Sequence, residues 1–279
     1  MKDWVLEMLE LHAKSNASMC VAEGTAQELY AGQSQWLKRY AEAYQTKRLN
    51  RNFRNIKPVA QLAQAFYEAD ANPKRIPTVM QRFSKPQQGD TQLVIFDRSE
   101  GQAPVIVNID ESSVNQVSHG AMFEYELVTE AMIAEYQRII ADQLDKLRHS
   151  GDEREIDLLV LVPGPNSLER DYALEALKRI GVGLIDYTPD ENRRNIAYPN
   201  MVRLCTFECS RGLEGNRVVI FGIEHLREVS KHFNVELSKL GYIVLSRSRF
   251  ETAIAVRRST PSDVLPFIET ALDMIKSGP

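Results

Sequence analysis

The chain has 279 residues, 43% hydrophobic and 26% charged, with 34 lysines and arginines against 38 acidic residues and a net charge of −4. At ~150 residues per domain this is one large or two small domains. The apolar fraction supplies a sizeable core and excludes a disordered chain or a disulfide-stapled miniprotein. The acidic balance excludes a whole-surface electrostatic grip on nucleic acid, while leaving room for a local basic groove.

No apolar run approaches the ~20 residues needed to span a bilayer. The first segment is interrupted by Asp3, Glu7, Glu10 and His12, so no signal peptide and a cytoplasmic location are expected. Cys20, Cys205 and Cys209 form no CxxC pair and are expected as buried or half-buried thiols. Cys205 and Cys209 would need two further ligands to hold a metal, and no nearby histidine supplies them. No metal site is expected.

Apolar residues at Trp4, Val5, Met8, Leu9 and Leu11 predict a helix over 3–14, and Ser18–Ala22 reads as a short strand. Helices are predicted over 34–45 and 56–69, the latter with Pro58 near its start, where proline is tolerated. Prolines 73, 77 and 86 make 71–91 a connection with one short helix. Gln92–Asp97 and Val105–Asp110 read as a hairpin or a pair of edge strands. The longest helical pattern runs over 123–148.

Ile156–Val162 is a continuous apolar run, the pattern of a strand buried on both faces. A helix over Ser167–Ile180 follows, with Asn166 or Ser167 as cap and Gly181 as stop. Strands are predicted at Gly183–Tyr187, Met201–Phe207, Arg217–Gly222 and Thr252–Val256, with helices over 235–248 and 261–277. This alternation predicts an α/β fold, a mainly parallel sheet with helices on both faces.

Four segments carry chemistry: Val21–Tyr30, Leu49–Asn55, Thr206–Glu214 and Gly241–Arg249. In this order they resemble motifs III, IV, V and VI of superfamily 1 helicases of the UvrD/Rep type. The Gln27 segment resembles D-x-x-Q-x-I-Y, Asn52-Phe-Arg-Asn55 resembles N-Y-R-S, Thr206–Glu214 resembles S-x-K-G-L-E, and Ser246-Arg-Ser-Arg249 resembles T-R-A-R/K. Pro163–Asp186 is similar to the strand and helix that the family carries between IV and V. The resemblance covers roughly residues 18–258.

The resemblance implies a RecA-like, P-loop NTPase-type second motor domain without a P-loop over 46–279, preceded by a terminal piece of the first RecA-like domain over 1–45. It implies that Arg54 and Arg247 reach the γ-phosphate of ATP, whose oxygens suit a planar guanidinium. Phe53 would stack on the adenine, Gly212 would admit the phosphate to the backbone, and Glu214 would accept from the ribose. Gln27 would link the γ-phosphate to the DNA surface. Tyr30, Thr206 and Arg203 would contact single-stranded DNA, Tyr30 by stacking.

Outside that context the same arginines read as solvated charges, Phe53 as a core aromatic, Gly212 as a turn glycine, Glu214 as a surface carboxylate and Gln27 as a loop residue. Arg193, Arg194 and Arg203 fit a DNA backbone track or a solvated loop. Trp36 reads as helix packing. The five histidines show no metal or triad spacing, and none is assigned a role.

The departures shape the expected function. No Gly-Lys dipeptide occurs, so G-x-x-x-x-G-K-[ST] is absent, and so is the magnesium motif D-E-x-Q-D. Glu23-Gly24 stands where the family favours Gly-Asp, Glu208 where it often has histidine, and Arg211 replaces its lysine. Only about 20 residues separate Tyr187 from the motif V segment, so the large accessory insertion is missing. The expected function is the C-terminal motor half of an ATP-dependent DNA helicase or translocase, not ATPase-competent alone. ATP and Mg would be bound mainly by a first RecA-like domain in cis or in trans. The alternatives are a split subunit and a non-catalytic helicase-like binding module, each acting with a P-loop-bearing partner.

Overall fold

A computed structural model describes residues 51–52, 55–84, 95–96, 102–112, 122–149, 157–194 and 200–277. Its centre is a six-stranded sheet. The strands are β3 (Val105–Asn108), β4 (Leu158–Val162), β5 (Gly183–Asp186), β6 (Met201–Thr206), β7 (Gly215–Phe221) and β8 (Ser248–Val256). They lie in the order β3-β8-β7-β4-β6-β5, and every pairing is parallel. A separate two-residue parallel bridge joins β1 (Arg51–Asn52) to β2 (Ile95–Phe96).

Side chains alternate across a strand, so each face of the sheet selects its own partners. Leu159 and Leu161 of β4, with Val218, Ile220, Ile254 and Val256, face one layer. That layer contains α1 (Lys57–Ala69), α2 (Ile76–Ser84), α5 (Leu226–His232), α6 (Leu237–Leu245) and α7 (Val264–Ser277). Leu158, Val160 and Val162, with Val219 and Phe221, face the other, formed by α3 (Met122–His149) and α4 (Leu168–Ile180). All five residues of β4 are buried, which is why its sequence is apolar without interruption. The expected α/β architecture, a parallel sheet with helices on both faces, is therefore present and is consistent with a RecA-like domain. Among the described residues no helix is long and apolar enough to cross a membrane.

Local signals account for the helix ends. The Ser167 side chain accepts from the Arg170 N–H and caps α4, and Gly181 ends it at φ 75° in the left-handed region. Ser262 accepts from the N–H groups of Val264 and Leu265 at the start of α7. Pro58 sits in the first turn of α1, where a missing N–H costs nothing.

Two expectations are corrected, and one helix is added. Of the two readings of Gln92–Asp97 and Val105–Asp110, a hairpin or a pair of edge strands, the hairpin is not formed. Val105–Asn108 runs parallel to β8 at the sheet edge, and Ile95–Phe96 pairs with Arg51–Asn52 instead. A hairpin requires antiparallel neighbours, and β8 offers β3 a parallel site from far along the chain. The helix expected over 235–248 ends at Leu245, because Ser248 already pairs with Gly215 in the sheet. The seven-residue α5 had no element assigned to it; it is too short to show a period and carries no side-chain cap. The readings over 3–14, Ser18–Ala22 and 34–45 lie outside the described residues.

Helices α1 and α6 meet at a residue without a side chain. A Cβ on Gly241 would stand 2.1 Å from Cε1 of Phe66, whose ring is fully buried and packs edge-on against Phe267 at 5.0 Å. Neither ring has room to retreat. Alanine favours helices over glycine by ~1 kcal/mol, yet Gly241→Ala is expected to destabilise by about 1–3 kcal/mol through overpacking. Urea denaturation of the two proteins checks the sign.

Candidate functional site

Three of the four motif segments converge where β7 and β8 begin. Asn55, just before α1, is buried, and its side-chain amide donates to the backbone carbonyls of Ser246, at 2.9 Å, and of Ser248. The next residue, Ile56, donates its N–H to the Arg249 carbonyl at 3.0 Å. The Leu49–Asn55 segment is thus fastened to the Gly241–Arg249 segment across more than 190 residues of chain. These contacts also satisfy carbonyls at a point where β8 is irregular. Its register against β7 shifts between Gly215 and Arg217, and such a bulge re-aims side chains locally.

Arg247 performs the second joining. It is 1% exposed, the largest fully buried side chain described. Its Nε donates to the Ile243 carbonyl at 2.7 Å and its Nη2 to Ser246 Oγ at 3.0 Å. Its Nη1 faces the carbonyls of Leu213, at 3.1 Å, and Ser210, at 3.4 Å. A guanidinium cannot shed its charge, so burial demands that its donors be met. Here they organise the loop between β6 and β7. The expectation that Arg247 reaches a phosphate is therefore replaced, in this conformation, by an internal role: it shapes the Thr206–Glu214 loop.

That loop has further internal ties. Thr206, at the end of β6, is buried, and its hydroxyl accepts from the Cys209 N–H at 3.3 Å. Thr206 thus caps the turn instead of facing outward to nucleic acid. The Ser210 hydroxyl donates to the Phe207 carbonyl at 2.8 Å. Gly212 has φ 88° and is exposed, with nothing within 4 Å of where a Cβ would stand. Its backbone is open to a bulky group, and its conformation is one that L side chains rarely adopt. Glu214 forms an ion pair with Arg249, and both remain partly exposed. Cys205 is buried and Cys209 half-buried, as expected. Burial and the contact with Glu208 push the Cys209 thiol up to about 11, which leaves it unreactive.

Arg203 is not available to a DNA backbone in the way expected. It pairs with Asp157, whose second oxygen accepts from the Asn216 N–H at 3.0 Å. Arg217 is likewise paired with Glu251 and donates to Gln143. These pairs pin the starts of β4, β6, β7 and β8 together. Gln27, Tyr30, Phe53 and Arg54 lie outside the described residues. Among the described residues no group of three or more His, Cys, Asp or Glu could hold a metal ion.

Sequence reasoning missed Asn55 as a joining residue. The available signal was a polar residue immediately before an apolar helical pattern, which reads only as a cap candidate. It also missed a charged cluster at the opposite end of the sheet. Glu169 of α4 is buried and stands 3.5 Å from His225, in the turn after β7. Beside them Glu224 is buried, with one carboxyl oxygen accepting from the Arg257 N–H at 3.2 Å and the other without a hydrogen-bond partner.

No protein-family model matches the chain, and no curated protein matches it in sequence. Among solved structures it is similar to the C-terminal domain of a possible DNA helicase from Lactobacillus plantarum WCFS1. The identity is 15%, the match covers 79% of this chain and 96% of that one, and the TM-score is 0.43.

Removing either joining residue leaves buried carbonyls without donors. Asn55→Ala is expected to cost about 1–3 kcal/mol, and Arg247→Met about 3 kcal/mol or more, because several charge-assisted bonds vanish together. Chemical denaturation monitored by far-UV circular dichroism measures both.

Proposed function

We propose that this chain contributes the second RecA-like motor domain of a superfamily 1 DNA helicase or translocase of the UvrD/Rep type. The single observation that carries the reading is the convergence of its motif segments. Asn55 from motif IV binds motif VI, and Arg247 from motif VI binds the motif V loop. The contacts are internal to the fold, and they gather at one edge the segments that a shared nucleotide would need.

ATP, bound mainly by a P-loop-bearing first domain in cis or in trans, supplies the phosphoryl group. This chain's residues position and neutralise charge around it, which is most of what phosphoryl transfer asks of a protein. Arg54 would neutralise the γ-phosphate, and Phe53 would stack on the base. The exposed backbone at Gly212 would approach the phosphates without steric hindrance. Glu214 would accept from the ribose once its pairing with Arg249 opens. Arg247 acts one step back, as a positioning residue that fixes the loop bearing Gly212 and Glu214. Gln27 and Tyr30 would carry the response to single-stranded DNA.

One observation favours the alternative of a non-catalytic binding module. Both motif VI arginines, Arg247 and Arg249, have partners inside the chain. The two readings separate in the native protein, isolated from its source cells with whatever it is bound to. A motor domain gives ATP hydrolysis stimulated by single-stranded DNA, and Arg54→Ala lowers it about a thousandfold or more, as loss of an arginine finger does. A native preparation without DNA-stimulated hydrolysis, or one indifferent to Arg54→Ala, refutes the motor reading.

A further inference from the structure

The C-terminal ends of β4 and β7 meet at the point where the chain's connections diverge. From β4 the chain crosses to β5 at one edge, while β7 leads to β8 on the other side. Open parallel sheets take their ligands in the crevice at such a point. Here the crevice is bridged by charge.

The bridge is tightly built. Gly222 turns at φ 71°, and a Cβ there would stand 2.6 Å from Cγ of Pro163 and 2.9 Å from Cγ of Glu169. The turn after β7 therefore lies directly on the loop after β4 and on the first turn of α4. His225, half-buried, closes the contact through Nε2 to Oε1 of Glu169 at 3.5 Å. Below them are two polar atoms with no hydrogen-bond partner, the second carboxyl oxygen of Glu224 and the hydroxyl of Tyr136, both in residues at least nine-tenths buried. Tyr136 comes from α3 and stacks on Phe221 at 3.9 Å. Arg257, at the end of β8, offers its N–H to Glu224 and its side chain to Glu111, which also holds Ser259. Glu228, one turn into α5, adds its field to His225.

We infer that His225 is a pH-sensitive latch across this crevice: its protonated ring holds the first turn of α4 to the turn after β7 through Glu169, and loss of the proton loosens the two. The charges facing the ring have one sign on balance. Glu169, Glu224 and Glu228 surround it, while Arg257 already serves Glu111 and Arg227 is paired with Asp263. A neutral ring leaves the buried Glu169 carboxylate beside Glu224 with its counter-charge gone, an arrangement that burial makes costly.

The signs agree. The hydrogen bond to Glu169 raises the affinity of His225 for its proton above the usual value of 6.5. A group held up in the folded state contributes in full below its unfolded value and loses that contribution as pH rises through the folded one. Burial also raises Glu224, so its charge is costlier in the folded chain than in the unfolded one. Glu169 is buried, which alone would raise it, but the bond from His225 holds it below the usual carboxylate range. Its charge is therefore supported for as long as His225 keeps its proton. The latch is independent of the nucleotide reading, since it lies at the opposite end of the sheet from Asn55 and Arg247.

Hydrogen exchange of the full chain, read by mass spectrometry and corrected for intrinsic rates, tests this between about pH 6 and about pH 8.5, the range in which histidine switches. Segments 163–170 and 222–229 are expected to lose protection several-fold on going to the higher pH, while α6 does not change. His225→Gln removes the pH dependence and leaves both segments weakly protected throughout. His232→Gln, which alters an exposed histidine at the end of α5, keeps the wild-type response. Equal protection at both pH values in the wild type, or an unchanged response in His225→Gln, overturns the inference. Proton NMR of the wild type gives a check that needs no variant. The His225 ring and the amides of Glu169 and Gly222 should titrate with one midpoint, and separate midpoints would also overturn it.

Discussion

The guanidinium of Arg247 sits inside the protein at the start of β8, carrying a charge it cannot lose. Burial without water means that its donors must find acceptors in the chain. Those acceptors are the last turn of α6, the Ser246 hydroxyl and two carbonyls of the loop between β6 and β7. The loop's path, the end of α6 and the first residue of β8 are thereby one arrangement. Asn55 extends it to the start of α1, because its amide closes the carbonyls on either side of Arg247. Breaking any member orphans groups belonging to the others, which is why polar networks of this kind act as units.

The sheet makes that arrangement possible. Its strands are parallel and covered on both faces, so only their two ends are open to chemistry. The end where β7 and β8 begin collects Asn55, Glu214 and Arg247 and a border of paired charges, Arg203 with Asp157 and Arg217 with Glu251. The end where β4 and β7 finish collects Glu169, Glu224 and His225. At the first, Gly212 is exposed and Arg249 is paired with Glu214. The second is a closed contact whose strength follows the protonation of one imidazole. One sheet thus holds a buried arginine network and a titratable crevice at its opposite ends.

Much of this was legible in the sequence wherever the cause is local. The run of β4 announced burial on both faces. Ser167 and Gly181 marked the ends of α4, because capping depends on residues a turn away. Partners were not legible. Nothing in Ser-Arg-Ser-Arg tells an arginine that faces a phosphate from one that faces Leu213 and Ser210. Arg203 read as a free cation because Asp157 lies 46 residues away. Val105–Asn108 read as half of a hairpin or as an edge strand, and that its neighbour is β8 could not be read because β8 begins some 140 residues later.

By itself, then, the sequence determined the element types and the layering, since periodicity, capping and turn chemistry act over one or two turns of chain. Only the tertiary structure decided which charges are satisfied from within. It turned Arg247 inward and paired Glu214 with Arg249. It set Gly241 against Phe66 and placed His225 against Glu169. Each of these depends on which distant segment packs alongside, and burial fixes that through the requirement that both faces of the sheet be covered at once.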